Sequence, residues 1–408
     1  MGAILSAMGQ KNLAPEAISQ LQRHLAPGSK WGVRPTGTYD LATARSVMDA
    51  DASTRGVASE GFFEERGLMV FQTGEALVPP DLREILARHK DGLTLSLIAN
   101  YQSSGNDAEF HRRGNAHAQE YGSVGVSGEG LSLGTPILID RVEDMPQKIL
   151  QVVNNIRAAW RDLYLQSAHS MASIGVEFPE WHPCCFVKNL SLFAHGIQTG
   201  LSMNQAGSYR SGLHDGRSVQ EDGVSSYDLN QGSTVKGFVQ SVAGVLAPDV
   251  DVQLFACNAG LSPNVEGEDW SRPDPGPQGG EDSFAYHFLE ALRAEGMDDS
   301  SVFAHITAGH TTENFSARVF GARAEEVNGE GASASLFDLV YTPDYVAAQV
   351  TALGNGATVA DVRKRMWRVV LREMYRDGAP RGDLGMKLFT DLDRTRTHFQ
   401  QVWDASLS

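Results

Sequence analysis

The chain has 408 residues and a mass of 44.1 kDa, more than one domain of about 150 residues, which predicts one large domain with a smaller one. Its composition, 41% hydrophobic and 21% charged, is that of a globular protein and excludes collagen-like and intrinsically disordered chains. Fifty acidic residues against 34 basic ones give a net charge of -16. We therefore expect neither a nucleic acid nor an anionic membrane as a partner.

The start of the chain and its cysteines bear on the cellular compartment. The segment MGAILSAMGQKN has neither the basic start nor the apolar core of a secretion signal, and no stretch of the sequence is apolar enough for a transmembrane helix. We expect a cytoplasmic protein, with export by a specialised system as the alternative. Cys184, Cys185 and Cys257 are odd in number and form no C-x-x-C pair, so we expect no disulfide framework and no metal site.

The N-terminal part, residues 1–92, is predicted to be a small helical module. Residues 13–50 have the pattern of two helices joined by a turn, and a third helix is predicted after Pro80. The run QLQRHLAPGSKWGVRPTGTYDLATARSVM resembles the peptidoglycan-binding-like helical domain. The resemblance implies peptidoglycan as a partner, whereas a helical hairpin used for packing or autoinhibition fits the same residues.

Residues 93–408 show alternating strand and helix signals. Amphipathic helices separate short apolar runs, which predicts right-handed crossovers and an α/β fold with a mostly parallel sheet covered by helices on both faces. The predicted elements are a strand or module end at 93–98, a helix at 109–120, the strand PILI, a helix after Pro146, the strand within CFVKNLSLFA, a helix at 235–246, the strand VQLFA, a helix at 284–292, the strand SVFAHI, and helices at 359–375 and 389–403.

Two consecutive predicted strands end in residues that can carry chemistry. The strand SLFA leads to His195-Gly196, and the strand VQLFA, one crossover later, leads to Cys257. Neighbouring parallel strands lie about 4.8 Å apart and end at the same edge of the sheet, where catalytic groups collect. We therefore expect the imidazole and the thiol to lie side by side.

A cysteine and a histidine in this arrangement suit nucleophilic catalysis. The thiolate is the attacking form of cysteine, and an adjacent imidazole accepts the thiol proton. Attack on an amide carbonyl creates an oxyanion, which needs preorganised N–H donors. The backbone amides of Gly196 and Cys257 are the candidates for this oxyanion hole.

The same residues resemble the caspase-like cysteine peptidases, in which an apolar strand ending in HG is followed by a helix and by an apolar strand ending in cysteine. FAHG, LFACNAG, GGEDSFAYHFLEAL and VFAHITAGHT are similar to the bacterial members of that family. The resemblance implies a Cys257–His195 dyad, Gly196 with Cys257 as the oxyanion hole, a thioester intermediate, a protein or peptide substrate, and no cofactor. Members that cut after basic residues often have an acidic residue two positions before the cysteine, where this chain has Phe255, so the P1 residue stays open.

Two long segments follow the candidate catalytic residues. Residues 201–232 are polar and glycine-rich and include Asp222, and residues 261–283 are acidic. Loops of this length are often functional, so we include Asp222 as a candidate for the substrate cleft, together with His305 and His310 in AHITAGH. For each histidine, packing with local hydrogen bonds is the more common outcome. Cys184 and Cys185 are predicted to be packing residues, and His111 and His117 surface or structural ones.

Two alternative functions belong to classes other than the cysteine peptidases. An α/β-hydrolase also has an HG sequence after a strand, but it requires a nucleophile elbow, G-x-S-x-G, between a strand and a helix, and we expect no such elbow in this chain. The other rival is a catalytically degenerate scaffold or binding protein whose N-terminal module recognises the cell wall or a partner. The presence of both His195 and Cys257 argues against it.

Overall fold

A computed structural model of the chain describes residues 19–20, 22–23, 25–28, 33–35, 46, 80–100, 106–127, 130–172, 183–202, 212–216, 232–263, 279–307, 316–354, 356–376, 379–380 and 390–407. The helices longer than one turn are α1 Pro80–Arg88, α2 Asn106–Tyr121, α3 Met145–Ala172, α4 Val235–Val242, α5 Phe284–Ala294, α6 Ala322–Asn328, α7 Leu336–Val340, α8 Pro343–Leu353, α9 Val359–Met374 and α10 Leu392–Ala405. The strands are β1 Leu93–Ala99, β2 Val124–Ser127, β3 Gly130–Leu133, β4 Ile137–Ile139, β5 Val187–Phe193, β6 His195–Ile197, β7 Gly200–Ser202, β8 Gly212–His214, β9 Ser233–Thr234, β10 Leu246–Phe255, β11 Ser301–His305, β12 Ala317–Gly321, β13 Ala334–Ser335, β14 Tyr375–Arg376 and β15 Ala379–Pro380.

A seven-stranded sheet with the order β13-β12-β11-β10-β5-β1-β4 forms the centre of the fold. The pairs β1–β4, β5–β10 and β10–β11 are parallel, and β11–β12 and β12–β13 are antiparallel. All residues of β1, β11 and β12 are buried. Because successive residues of a strand point to opposite faces, these strands are covered on both sides. The predicted α/β class with a mostly parallel sheet is confirmed.

The residues that follow β5 form short strands, where the sequence predicts a loop. β5 ends at Phe193, and His195 opens β6, which belongs to a separate four-stranded sheet with the order β6-β7-β8-β9. In that sheet His195 pairs with Ser202, and Ser202 pairs in turn with Gly212. The strands are two or three residues long, too short for a recognisable alternation of apolar and polar residues. Asp222 lies outside the described residues.

The predicted helices agree with the structure in position and differ in detail at their ends. Thr234 is the N-cap of α4, and its side chain accepts a hydrogen bond of 3.1 Å from the amide of Gly237, as the sequence predicts for Ser233 or Thr234. α4 ends at Val242 rather than at residue 246, because Leu246 already opens β10.

The chain divides into two compact units. The first comprises residues 1–93, 127–133 and 151–186, and the second comprises residues 94–126, 134–150 and 187–408. Within the predicted module of residues 1–92, residues 19–20, 22–23 and 25 are helical and α1 follows Pro79, whereas most of the second predicted helix lies outside the described residues. In the described part of the chain no helix combines the length and apolarity needed to cross a membrane.

A half-buried carboxyl group, Asp251 in β10, links folding to pH. Burial raises the pKa of Asp251 to about 6, while Arg323 and Lys188 act in the opposite direction and Asp249 reinforces the increase. The guanidinium of Arg323 lies 3.8 Å from the Asp251 carboxylate. The folded protein therefore favours the protonated acid. The stabilisation from this group is complete below pH 3.8, the ordinary pKa, and is lost as the pH rises through about 6.

Replacing Asp251 with asparagine is expected to stabilise the protein above pH 6 and to have little effect near pH 4. At neutral pH the amide avoids the cost of a half-buried carboxylate, which corresponds to about 1–3 kcal/mol in the free energy of unfolding. Urea denaturation of both proteins across this pH range measures the effect. A difference between them that does not change with pH would show that Asp251 titrates normally in the folded state.

Candidate functional site

The strand register brings His195 and Cys257 to equivalent positions. β5 and β10 are parallel neighbours, and Phe193 is paired with Phe255 at their last aligned position. The two phenylalanine rings stack with centroids 4.4 Å apart and an interplanar angle of 8°. His195 and Cys257 each follow two residues later, and both are half-buried. The structure thus delivers the imidazole and the thiol to the same edge of the main sheet.

Gly196 allows the two strand ends to approach each other closely. A Cβ atom on Gly196 would lie 2.8 Å from the Cβ of Ala256 and 2.9 Å from the backbone nitrogen of Cys257, and closer still to the carbonyl oxygen of Cys257. The backbone of the histidine turn therefore rests directly against the backbone of the cysteine turn. This contact leaves no room for a side chain at residue 196.

Helix α2 lies beside His195 and the pair Phe193 and Phe255 along one stripe of its surface. The ring of Phe110 meets the His195 ring edge-on, with centroids 4.9 Å apart, and Phe110 itself is fully buried. One turn later, a Cβ on Gly114 would lie 2.6 Å from a carbon of Ile98, so glycine permits the helix to pack closely against the sheet. The stripe 110, 114, 117 has helical spacing, a signal that could have been recognised in the sequence.

His117 on the same stripe is a structural residue in the core. Its Nδ1 lies 2.9 Å from the hydroxyl of Ser96 and its Nε2 lies 3.0 Å from the hydroxyl of Thr390. The ring packs edge-on against Phe193 and Phe255, at 5.5 and 5.6 Å between centroids. Burial lowers the pKa of His117 to about 3, so its imidazole is neutral at physiological pH. It supports the phenylalanine pair that precedes the candidate dyad.

The turn after Cys257 is fixed by backbone hydrogen bonds on two sides. On one side the amide of Asn258 donates to the carbonyl of Thr307 at 3.2 Å, and the amide of Gly260 donates to the carbonyl of His305 at 2.8 Å. On the other side the amide of Ala285, in the first turn of α5, donates to the carbonyl of Ala259 at 2.9 Å.

Helix α5 joins the cysteine turn to the histidine turn. Its first amide, that of Phe284, donates to the carbonyl of Gln198, three residues after His195, at 2.8 Å. Ser283 caps the helix by accepting from the amide of Tyr286. The first two amides of one helix, which have no partner within the helix, thus bind one carbonyl from each turn. The separation of the two turns is set by this helix start.

Asn258 adopts a left-handed backbone conformation with φ of 54°. Asparagine and glycine tolerate this region, whereas a β-branched residue is strained there. Replacing Asn258 with valine is expected to cost about 1–2 kcal/mol and to displace the neighbouring thiol, while glycine is expected to preserve the turn. Thermal unfolding and the rate of Cys257 alkylation by iodoacetamide measure both effects. Equal behaviour of the two variants would contradict a conformational role for Asn258.

Of the three candidates for the substrate cleft, the structure describes only His305. His305 is completely buried, and its ring packs edge-on to Phe255 with centroids 6.1 Å apart. This histidine therefore packs in the interior, the alternative to lining a substrate cleft. His310 and Asp222, the other candidates for the substrate cleft, lie outside the described residues. Cys184 and Cys185 are fully buried, as predicted for packing residues.

The letters of the nucleophile-elbow motif do occur in the chain, contrary to expectation, but no elbow is formed there. Residues 130–134, GLSLG, do fit the letters G-x-S-x-G. However, Ser132 lies within β3, and the next regular element after it is the strand β4. A nucleophile elbow requires a sharp turn from a strand into a helix. The pattern therefore occurs in the wrong structural context, and the α/β-hydrolase rival gains nothing from it.

No protein-family model, no curated protein and no solved structure matches this chain. Within the described residues, no group of three or more histidine, cysteine, aspartate or glutamate side chains is arranged to hold a metal ion.

Proposed function

We propose that the chain is a cysteine endopeptidase in which Cys257 is the nucleophile and His195 is the general acid and base. The observation that carries the proposal is that His195 and Cys257 each lie two positions beyond Phe193 and Phe255, which are paired in register and stacked on each other. A thiol and an imidazole at one edge of a parallel sheet suit covalent catalysis at a carbonyl carbon.

The proposed reaction has two steps. The Cys257 sulfur attacks the carbonyl carbon of a peptide bond as its thiol proton passes to His195, and the imidazolium then returns this proton to the departing amine. The resulting thioester is hydrolysed by water, which His195 activates as a base. In both steps an oxyanion forms, and the amides of Gly196 and Cys257 are the proposed donors, because their backbones lie in direct contact.

We also propose that this peptidase is of the caspase-like kind. The support is the order of the elements: the strand before His195-Gly196, the crossover through α4, and the neighbouring parallel strand before Cys257. Phe255, two positions before the cysteine, is fully buried and stacked on Phe193. This side chain therefore belongs to the core, and the P1 preference must come from other residues.

A panel of peptidyl acyloxymethyl ketones that differ only in the P1 residue tests the proposal. These reagents alkylate a catalytic thiolate after the substrate-binding site of the enzyme has bound the attached peptide. We expect a subset of the panel to modify Cys257, as found by mass spectrometry of the full-length chain, and the same subset to block cleavage of a pooled peptide library. The buried Cys184 is the internal control and should stay unmodified.

If no member of the panel modifies Cys257 and no peptide in the pool is cut, the peptidase proposal fails. The catalytically degenerate scaffold would then be the better description. Modification of Cys257 irrespective of the P1 residue would indicate a reactive thiol without peptide recognition, which also contradicts the proposal.

A further inference from the structure

Helix α9 presents a basic face to solvent. Lys364, Arg365, Arg368 and Arg372 are exposed, and their spacing places them on one side of the helix, spread over about 12 Å along its axis. The opposite side is apolar and buried through Val362, Met366, Val369 and Val370. The helix is thus anchored by its apolar side while four cations face outward.

These cations differ from the one basic neighbour that has a structural role. Arg363 is half-buried, pairs with the buried carboxylate of Asp338 at 2.8 Å, and lies over the ring of Phe337. By contrast, Lys364, Arg368 and Arg372 form no salt bridge with any residue in the described ranges. Arg365 lies over the Trp403 ring at 5.7 Å, which orients it without neutralising its charge.

The charge of this helix is opposite to that of the chain. α9 contains five basic and two acidic residues, a net charge of +3, in a chain of net charge -16. Like charges on neighbouring turns repel one another and destabilise an isolated helix. The concentration of cations therefore has a cost for folding, and an anionic partner would offset it.

We propose that this basic face of α9 binds an extended acidic segment of a partner protein. An extended chain advances about 3.3 Å per residue, so a stretch of about four residues rich in aspartate and glutamate would match the length of the face. A nucleic acid carries a charge on every nucleotide and meets the repulsion of the net charge of -16 along its whole length, whereas a short acidic segment places only a few charges on the basic face. The large apolar side chains that α9 exposes, Val359 and Leu371, are too few for insertion into a membrane surface.

Fluorescence anisotropy of labelled decaglutamate with the full-length chain tests this proposal. We expect binding at low salt that weakens as the salt concentration rises, and no binding of decaglutamine. The triple variant Lys364→Gln, Arg368→Gln, Arg372→Gln should bind about tenfold more weakly, since each exposed ion pair contributes up to about 1 kcal/mol. The double variant Arg368→Lys, Arg372→Lys keeps the charge and should bind within about twofold of the wild type.

A second triple variant, Lys90→Gln, Arg141→Gln, Lys236→Gln, is the matched control, since it removes the same charge from exposed positions elsewhere. Unchanged affinity of the α9 triple variant, or an equal loss in the matched control, would overturn the proposal. So would tighter binding of duplex DNA or of phosphatidylserine vesicles that the α9 substitutions abolish. A dimer that dissociates on these substitutions would assign the face to a second copy of this chain instead.

Discussion

Replacing Cys257 with alanine is expected to reduce kcat/KM for peptide hydrolysis at least about a thousandfold, and replacing His195 with alanine is expected to have an effect of the same order. In the proposed mechanism the two side chains act as a unit: without the thiol there is no nucleophile, and without the imidazole no group accepts its proton. Both residues are half-buried at the sheet edge, so neither substitution empties a large core volume. Hydrolysis of a pooled peptide substrate measures the effect.

Two variants provide matched controls for this prediction. Cys184→Ala removes a buried thiol and His111→Ala removes a half-buried imidazole on α2, and neither residue belongs to the proposed dyad. Both should retain activity within a few-fold once folding has been checked by circular dichroism. Undiminished cleavage by either dyad variant would remove that residue from the mechanism.

The second large effect is expected for Gly196→Ala. The added methyl group would lie 2.9 Å from the backbone nitrogen of Cys257 and 2.8 Å from the Cβ of Ala256, so no change of rotamer can relieve the contact. The two strand ends must separate, which misplaces His195 relative to Cys257 and displaces the proposed oxyanion donors. A displacement approaching 1 Å costs about a hundredfold in rate. We therefore expect a loss of this size in kcat, measured with the best substrate from the peptide pool.

Gly130→Ala is the control for the glycine substitution, because a Cβ atom there would meet no heavy atom within 4 Å. It should leave both the activity and the free energy of unfolding nearly unchanged. Wild-type kcat in a folded Gly196→Ala variant would show that the close contact between the turns is not needed for catalysis.

The main sheet could be predicted from the sequence where strands are long and apolar. β5, β10 and β11 lie where the runs ending in SLFA, VQLFA and SVFAHI place them, and the helices between them follow from their apolar spacing. β12 was not predicted, because the fully buried Arg318 interrupts its apolar pattern. Its burial depends on hydrogen bonds to Gly279 and Ser333, which come from distant parts of the chain.

The sequence predicts which side chains form the candidate site, but it does not predict the backbone conformation and the backbone hydrogen bonds that hold them. The order of His195-Gly196 and Cys257 follows from two strand ends, whereas the left-handed Asn258 and the bonds from Phe284 and Ala285 do not. Those bonds join backbone groups, and backbone groups carry no residue-specific signal. His305 shows the converse limit: its place at the end of β11 was correct, but its complete burial depends on packing that the sequence does not display.

The hydrogen bond between Ala259 and Ala285 has a consequence for the evolution of the chain. The chain leaves the cysteine turn after Gly260 and enters α5 at Phe284, and this hydrogen bond holds the two ends of the connecting segment next to each other. The entropy of closing a connecting segment changes only slowly with its length. Insertions and deletions within residues 264–278, which leave Gly279 and the Ser283 cap in place, are therefore expected not to move the sulfur atom of Cys257.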